Sequence, residues 1–508
     1  MTPTDWPTTD LCRLRATTTP NRTALVDADD GRRWTYRELD DVVTTLAGRL
    51  DVETDARVGT LLSTGPRLVT TAFAVARLGG TLVLLPPDES NDSLVEKASQ
   101  ASLDGLVTAT ETDPLGESLA SRCDVDRIVT LHDVPTAPGD GASRRDDPSD
   151  ATGTATMDAA ELGPDHTQVV VFTSGTTGTP KGVRVTTSNL RSSAVASAFR
   201  LGVDPDDRWL VPLPQHHMGG FAPVVRSALY GTTLVTTRST EPHEIARIVE
   251  DIRCTGTSVV PTMVRSLLEW GWDPPSHLRF VLTGGAPTPS ELVTACGDAG
   301  IPICPSYGAS ETASQIATAT PDQARRRPDS VGHPLVGTSI ELVGEDGTPV
   351  DQGETGEVIV SGPTVSPGYL DPAQTAAAFE DGRFRTGDLG HLDDGALYVT
   401  GRRSDRIVTG GETVDPTEVA HTLCEHRSVT DAAVVGLRDD RWGERVGAAI
   451  VLDSDAGDVD RAALERFCDD RFAPHKRPRT IAFVDTLPRT DSGTVDRNAV
   501  RTRLETDR

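Results

Sequence analysis

Apolar positions along this chain switch between two periods, and the switching predicts its elements. Short apolar runs at Thr23–Val26, Val58–Leu62 and Thr81–Leu85 read as strands. Between them, residues near Tyr36–Leu50 and Leu68–Leu78 repeat apolar side chains every third or fourth position and read as helices. Alternation of this kind over residues 23–110 predicts α/β layers around a largely parallel sheet. The pattern thins at residues 133–165, which are rich in Pro, Gly, Ala, Ser and Asp and read as a surface loop or linker.

Beyond the linker the alternation resumes. Trp209–Leu213, Thr233–Thr236 and Ser258–Val260 read as strands, with helices over Ala222–Leu229 and Glu244–Arg253. Residues 338–400 change character: Ser339–Val343, Glu357–Val360 and Ala396–Thr400 are strand-like and separated by Gly, Asp and Pro turns. From residue 404 a small α+β unit is expected, with helices near Pro416–Cys424 and Arg461–Phe472 and strands near Ala432–Leu437, Gly447–Leu452 and Thr480–Val484. The fold class is therefore α/β. A large N-terminal domain, 1–403, carries a β-rich subdomain at about 338–400, and a small C-terminal domain spans 404–508.

Composition narrows the function. A chain of 508 residues is too long for a single core. Its 76 acidic residues against 49 basic ones give a formal charge of −27, which would repel nucleic acid over most of the surface. Only Lys97, Lys181 and Lys476 are lysines, and the acid excess is spread along the chain, which predicts a halophilic protein adapted to high salt. Cys12, Cys123, Cys254, Cys296, Cys304, Cys424 and Cys468 are scattered without a close pair, as expected of reduced cytoplasmic thiols rather than a disulfide framework or a zinc site. The opening Met-Thr-Pro-Thr-Asp-Trp has no basic or apolar region, so no signal peptide is expected. Leu68–Leu85 is the most apolar long stretch, but Arg77 and Gly79-Gly80 break it into helix and strand rather than a membrane span.

The candidate chemistry centres on Val169-Val-Val-Phe-Thr-Ser-Gly-Thr-Thr-Gly-Thr-Pro-Lys-Gly-Val183. An apolar strand runs into a Gly/Ser/Thr loop and then reaches Lys181. Glycines let backbone amides approach an anion, the hydroxyls of Thr173, Ser174, Thr176, Thr177 and Thr179 add donors, and the lysine adds a point charge. The common nucleotidase loop needs Gly before its Lys and Ser or Thr after it, whereas Pro180 and Gly182 flank this one.

The run Thr173–Gly182 resembles the phosphate-loop signature of the adenylate-forming superfamily, which includes acyl- and aryl-CoA synthetases, luciferases and peptide-synthetase adenylation domains. Further segments follow in that superfamily's order. Thr283-Gly-Gly-Ala-Pro287 is similar to its adenine-side turn, and Pro305-Ser-Tyr-Gly-Ala-Ser-Glu-Thr312 to its aromatic-Gly-x-Thr-Glu element, with Ser310 for the usual Thr. Arg385-Thr-Gly-Asp-Leu389 matches the ribose-binding element, and Gly401-Arg-Arg-Ser-Asp-Arg-Ile407 the hinge between a large domain and a small mobile one. The resemblance implies ATP and coenzyme A as co-substrates and Mg²⁺ as the metal. It implies nucleotide contacts at Thr173, Ser174, Gly175, Thr176, Thr177, Gly178, Lys181, Gly285, Ala286, Pro287, Tyr307, Gly308, Ser310, Asp388 and Arg402. Glu311, with Thr176, would hold the metal, since hard cations take oxygen ligands. Ser404 would be the hinge. Gly410, Gly411 and Trp442, the last in Arg441-Trp-Gly-Glu444, would contact CoA.

The implied reaction has two halves: a carboxylate is adenylated with loss of pyrophosphate, and the CoA thiol then displaces AMP. Lys181, His217 and Glu311 are the catalytic candidates. His217, in Leu213-Pro-Gln-His-His-Met-Gly-Gly220, takes the acyl-gating position. Three stretches resemble the subfamily of 2-succinylbenzoate (o-succinylbenzoate) CoA ligases of menaquinone synthesis: Val225–Thr232, Ser310–Thr318 with Ser330–Leu335 after it, and Ser404–Glu412. Its doubly charged aromatic acid would need polar partners, for which His217, Ser310, Ser314 and Gln315 are candidates. Other readings are a different aryl- or fatty-acyl-CoA synthetase, or a non-catalytic nucleotide-binding homologue. The latter gains from one departure: the tail Pro488-Arg-Thr-Asp-Ser-Gly-Thr494 has Thr494 where the superfamily places a lysine, and only Lys476, Arg489 or Arg497 could lend a charge.

Overall fold

The apolar runs assemble into two mainly parallel sheets whose inner faces share one core. The computed structural model describes residues 8–131, 158–173, 179–439, 441–453, 461–490 and 494–506. Two compact units emerge: residues 1–284, 288–340 and 360–384 form the first, and residues 285–287, 341–359 and 385–508 the second.

In the first unit, a six-stranded sheet runs in the order Ile128–Leu131, Gly105–Ala109, Arg57–Leu61, Thr81–Leu84, Thr167–Thr173, Lys181–Thr186. Its pairings are parallel except the last, a hairpin. A nine-stranded sheet has the parallel centre Ile303–Ala309, Phe280–Thr283, Gly256–Val259, Arg208–Val211, Thr233–Thr236, Thr23–Asp27, with antiparallel strands at both ends. The helices Tyr36–Leu50, Pro66–Arg77 and Met218–Tyr230 supply Leu46, Phe73 and Phe221 to a core that also takes Val58 and Leu82 from one sheet and Trp209 and Leu234 from the other. Each such side chain contributes about 1.5–3 kcal/mol by leaving water.

Local signals fix the helix starts. Thr35 and Glu38 form a capping box at the head of Tyr36–Leu50, and Thr186 with Asn189 does the same for Thr187–Leu201. Arg77, which interrupts the apolar stretch, is fully buried, with its Nε 3.1 Å from Asp10 Oδ2 and its Nη2 bonded to Asp40. Among the described residues no helix is long and apolar enough to cross a membrane. The linker predicted at 133–165 lies largely outside the described residues; 158–165 form no helix or strand.

The second unit holds most of a five-stranded sheet built from Ser339–Val343, Gly356–Ser361, Phe379–Glu380, Arg383–Asp393 and Ala396–Arg402. It also holds a second five-stranded sheet of Ile407–Thr409, Glu412–Val414, Val429–Asp439, Gly443–Leu452 and Thr480–Val484. Helices Pro416–Cys424 and Arg461–Arg471 cover this second sheet through Val419, Leu423, Leu464 and Cys468, and Arg497–Thr506 does so through Val500 and Leu504. None of the seven cysteines is in a disulfide.

Candidate active site

The strands on either side of the phosphate-loop segment pair with each other. Thr167–Thr173 pairs antiparallel with Lys181–Thr186, and the register sets Thr173 opposite Lys181. Ser174, Gly175, Thr176, Thr177 and Gly178 fall outside the described residues. Leu370 packs closely over Gly182, where a Cβ would lie 2.6 Å from its Cδ1.

Leu370 belongs to a strap, residues 363–370, that binds the hairpin to the turn carrying Glu311. Leu370 N donates to Gly182 O at 2.8 Å and Arg184 N to Gly368 O at 3.0 Å. Ser366 spans both sides: its N–H donates to Glu311 O at 2.8 Å and its Oγ to Arg184 O at 2.6 Å. Asn189 Nδ2 fastens the far end, donating to the carbonyls of Pro363 and Val365 at 2.9 Å each. Tyr369, 3% exposed, donates from its hydroxyl to Glu311 Oε1 at 2.8 Å, and Lys181 Nζ lies 5.3 Å from the centre of its ring. Glu311 itself is 8% exposed, and its Oε2 has no hydrogen bond among the described residues. A buried carboxylate with one oxygen held and one open fits a hard cation.

Glu311 sits in a 3-10 turn, Ser310–Thr312, between the strands Ile303–Ala309 and Ser314–Thr318. The turn is tight: a Cβ on Gly308 would come within 1.8 Å of Ser314 O. Ser314 has φ +112, costly for a residue with a side chain. Tyr307 lies on the incoming strand and Ser310 opens the turn. Gln315 is buried and its Nε2 donates to Thr318 Oγ1 at 2.8 Å, while its Oε1 lacks a partner.

His217 caps the helix Met218–Tyr230, its ring edge-on to His216 at 4.5 Å. His216 is the more buried of the two; neither ring nitrogen has a partner, and burial, with His217 beside it, pushes its pKa down to about 3. Two turns into the same helix stands Arg226, 1% exposed. Its Nη2 is 3.4 Å from Ser193 Oγ, which donates to Ala313 O at 2.7 Å, just past the Glu311 turn. The guanidinium also lies 5.5 Å from the ring of Trp209, and its Nε has no partner. No acidic side chain pairs with it among the described residues. Burial pulls its pKa down to about 10, which leaves it cationic at neutral pH.

In the second unit, pairing of Arg383–Asp393 with Ala396–Arg402 sets Asp388 opposite Arg402, whose Nε donates to Asp388 Oδ1 at 3.1 Å. Thr386 Oγ1 accepts from Asp388 N at 3.0 Å, fixing the Thr-Gly-Asp turn. Ser404 follows in a 3-10 turn, Arg403–Asp405, anchored by Arg403 to Glu357 at 3.1 Å and by Asp405 to Arg497 at 3.0 Å. Gly410 has φ +61 and donates its N–H to Trp442 O at 2.8 Å; a Cβ there would meet the indole at 2.6 Å. Gly411 also has positive φ, and Trp442 is 50% exposed. Gly285–Pro287 fall in this unit, where Thr494 Oγ1 donates to Gly285 O at 2.9 Å. All three alternative tail charges are engaged: Arg489 with Asp431 at 2.7 Å, Arg497 with Asp405, and Lys476 with Glu418 at 2.6 Å.

Two of these residues had not been singled out from the sequence. Tyr369 is a lone aromatic in a Pro-Gly turn, which carries no periodic signal. Arg226 did leave a mark, a charge in the middle of the apolar helix Met218–Tyr230, where it needs a reason.

A glycine-bounded phosphate-loop hairpin, a half-satisfied buried carboxylate and a Thr-Gly-Asp turn define an adenylate-forming enzyme, and comparison with known proteins agrees. The chain belongs to the AMP-binding enzyme family: that family's pattern matches residues 12–370, and that of the AMP-binding enzyme C-terminal domain matches 418–494. It is 36% identical over 496 residues to a 2-succinylbenzoate–CoA ligase of Bacillus pumilus, covering 96% of each chain. Among solved structures it is similar to the o-succinylbenzoate CoA synthetase of Bacillus subtilis in complex with the acyl-adenylate intermediate, with TM-score 0.85, 31% identity and coverage of 97% and 98%. The same enzyme with ATP and magnesium gives TM-score 0.85 and 31% identity over 98% of this chain and 99% of that one.

Proposed function

We propose that this chain is an ATP-dependent acid–CoA ligase of menaquinone biosynthesis that converts 2-succinylbenzoate to 2-succinylbenzoyl-CoA. The carboxylate oxygen would attack the α-phosphorus of ATP, forming the acyl–phosphate bond and releasing pyrophosphate. The CoA sulfur would then attack the acyl carbon, and AMP would leave with the carboxyl oxygen. The first half begins with anion meeting anion. Lys181 and the hairpin amides would neutralise the phosphates, and Glu311 would hold Mg²⁺, which when bound offsets their charge. Asp388 would accept from the ribose hydroxyls beside Arg402. Gly410, Gly411 and Trp442 would line the path of CoA, and the small domain would turn about Ser404 between the halves.

Arg226 carries the reading of the acid. A buried, charged guanidinium with no acidic partner among the described residues is expensive to keep, and a substrate carboxylate would repay it. Benzoate and fatty acids have one carboxylate, which the adenylation step consumes; 2-succinylbenzoate has a second to offer. His217, Ser310, Ser314 and Gln315 would shape the rest of the pocket. The acid-rich composition supports work at high ionic strength, and the seven unpaired-by-disulfide cysteines support a cytoplasmic setting.

The test is to compare kcat/KM for 2-succinylbenzoate and for the ester that blocks its distal carboxylate. A loss of about a hundredfold or more is expected of a charge-assisted contact. Equal values would exclude a distal-carboxylate site and favour another aryl- or fatty-acyl-CoA synthetase.

A further inference from the structure

We propose that Tyr369 is a positioning residue for metal binding: its hydroxyl sets the plane of the Glu311 carboxylate so that Oε2 is presented to Mg²⁺. This rests on the reading of Glu311 as the metal-holding carboxylate. A carboxylate only 8% exposed has lost most of its water, and the 2.8 Å bond from Tyr369 is the one hydrogen bond to its side chain among the described residues. Without that bond the group could turn about its terminal torsion, which is broad and two-fold, and both orientations would be poorly solvated.

The strap leaves the tyrosine little freedom. Its N–H is held by Thr375 Oγ1 at 2.9 Å, and its ring meets Phe379 edge-on at 5.4 Å. Its neighbours Gly368 and Leu370 are bonded to Arg184 and Gly182 of the hairpin. The centre of its ring lies 5.3 Å from Lys181 Nζ, a distance suited to attraction between cation and aromatic ring. One side chain thus ties the proposed metal carboxylate to the phosphate-loop lysine. Their separation is set by the strap rather than by the ligand.

Calorimetric titration with ATP, with and without Mg²⁺, tests this on the full chain. Tyr369→Phe keeps the ring and removes only the hydroxyl. It is expected to weaken MgATP binding about tenfold while binding of metal-free ATP stays within about twofold. Glu311→Gln is the control: it should abolish the advantage of MgATP over ATP, and adding Tyr369→Phe to it should then change nothing further. If Tyr369→Phe binds MgATP like the unaltered protein while Glu311→Gln does not, the positioning role is overturned and the metal reading stands. If Glu311→Gln also leaves the MgATP advantage intact, the metal reading falls and this inference with it. A tyrosine with only a structural role would weaken both titrations equally, or would lower the melting temperature of the Glu311→Gln protein and its MgATP binding further, and either outcome overturns the proposal.

Discussion

The Arg226 guanidinium stands 3.4 Å from Ser193 Oγ inside an apolar helix, with the ring of Trp209 5.5 Å away. Ser193 in turn bonds the backbone just past Glu311. Two hydrogen bonds therefore link the charge to the backbone two residues past Glu311, and no acidic side chain among the described residues balances it.

Replacing Arg226 by Met separates binding from folding. Removing an unpaired buried charge should leave the melting temperature unchanged or higher, because the desolvation penalty goes with it. The same change should lower kcat/KM for 2-succinylbenzoate by about 10–100-fold, with KM for ATP unaltered. Thermal unfolding and steady-state kinetics on one preparation read both. A large loss of stability with intact selectivity would mean that the arginine serves packing.

Thr494 stands where the superfamily resemblance implies a lysine between the substrate carboxylate and the α-phosphate during adenylation. Its hydroxyl is bonded to Gly285 O, and Arg489, Arg497 and Lys476 each pair with an acid, so none of them is uncommitted. Thr494→Lys should accelerate pyrophosphate release by up to about a hundredfold, the scale of one preorganised donor, and leave thioester formation from preformed acyl-AMP unchanged. Single-turnover quench experiments distinguish the two halves. An unchanged rate would mean that adenylation here does not wait on charge at that position.

His216 predicts a loss of stability in acid. Its folded pKa is about 3 against about 6.5 in the unfolded chain, so between those values the unfolded chain binds the extra proton. The contribution is complete above about pH 6.5 and is lost as pH falls through that window, at up to about 1.4 kcal/mol per unit. His216→Phe should cut the loss between pH 7 and pH 5 by about 2 kcal/mol in denaturant titrations. An identical acid limb in the two proteins would contradict the buried neutral imidazole.

Much of the fold could be read from periodicity. Strands such as Thr233–Thr236 and Thr480–Val484 and the helix Pro416–Cys424 fall where their apolar spacing predicts. Elements that escaped did so for physical reasons. The helix Thr187–Leu201 buries Asn189, Arg191, Ser193, Ala194, Ala196 and Ser197 beside Leu190, so small and polar residues dilute the hydrophobic signal of its inner face. The strand Ile303–Ala309 carries Pro305 and Gly308, which read as turn residues until the pairing with Ser314–Thr318 is seen. Lys181, Glu311 and Asp388 could be named as candidates from their motifs. Tyr369 was hidden, because its partner Glu311 is 58 residues away and only the strap brings them together.

The most direct measurement follows pyrophosphate and CoA thioester together, with ATP, Mg²⁺, CoA and 2-succinylbenzoate in molar KCl, beside benzoate and a medium-chain fatty acid. One pyrophosphate and one thioester are expected for each 2-succinylbenzoate consumed, and little of either with the other two acids. No pyrophosphate from any acid, with ATP still bound, would contradict the proposed ligase activity and leave a non-catalytic nucleotide-binding homologue.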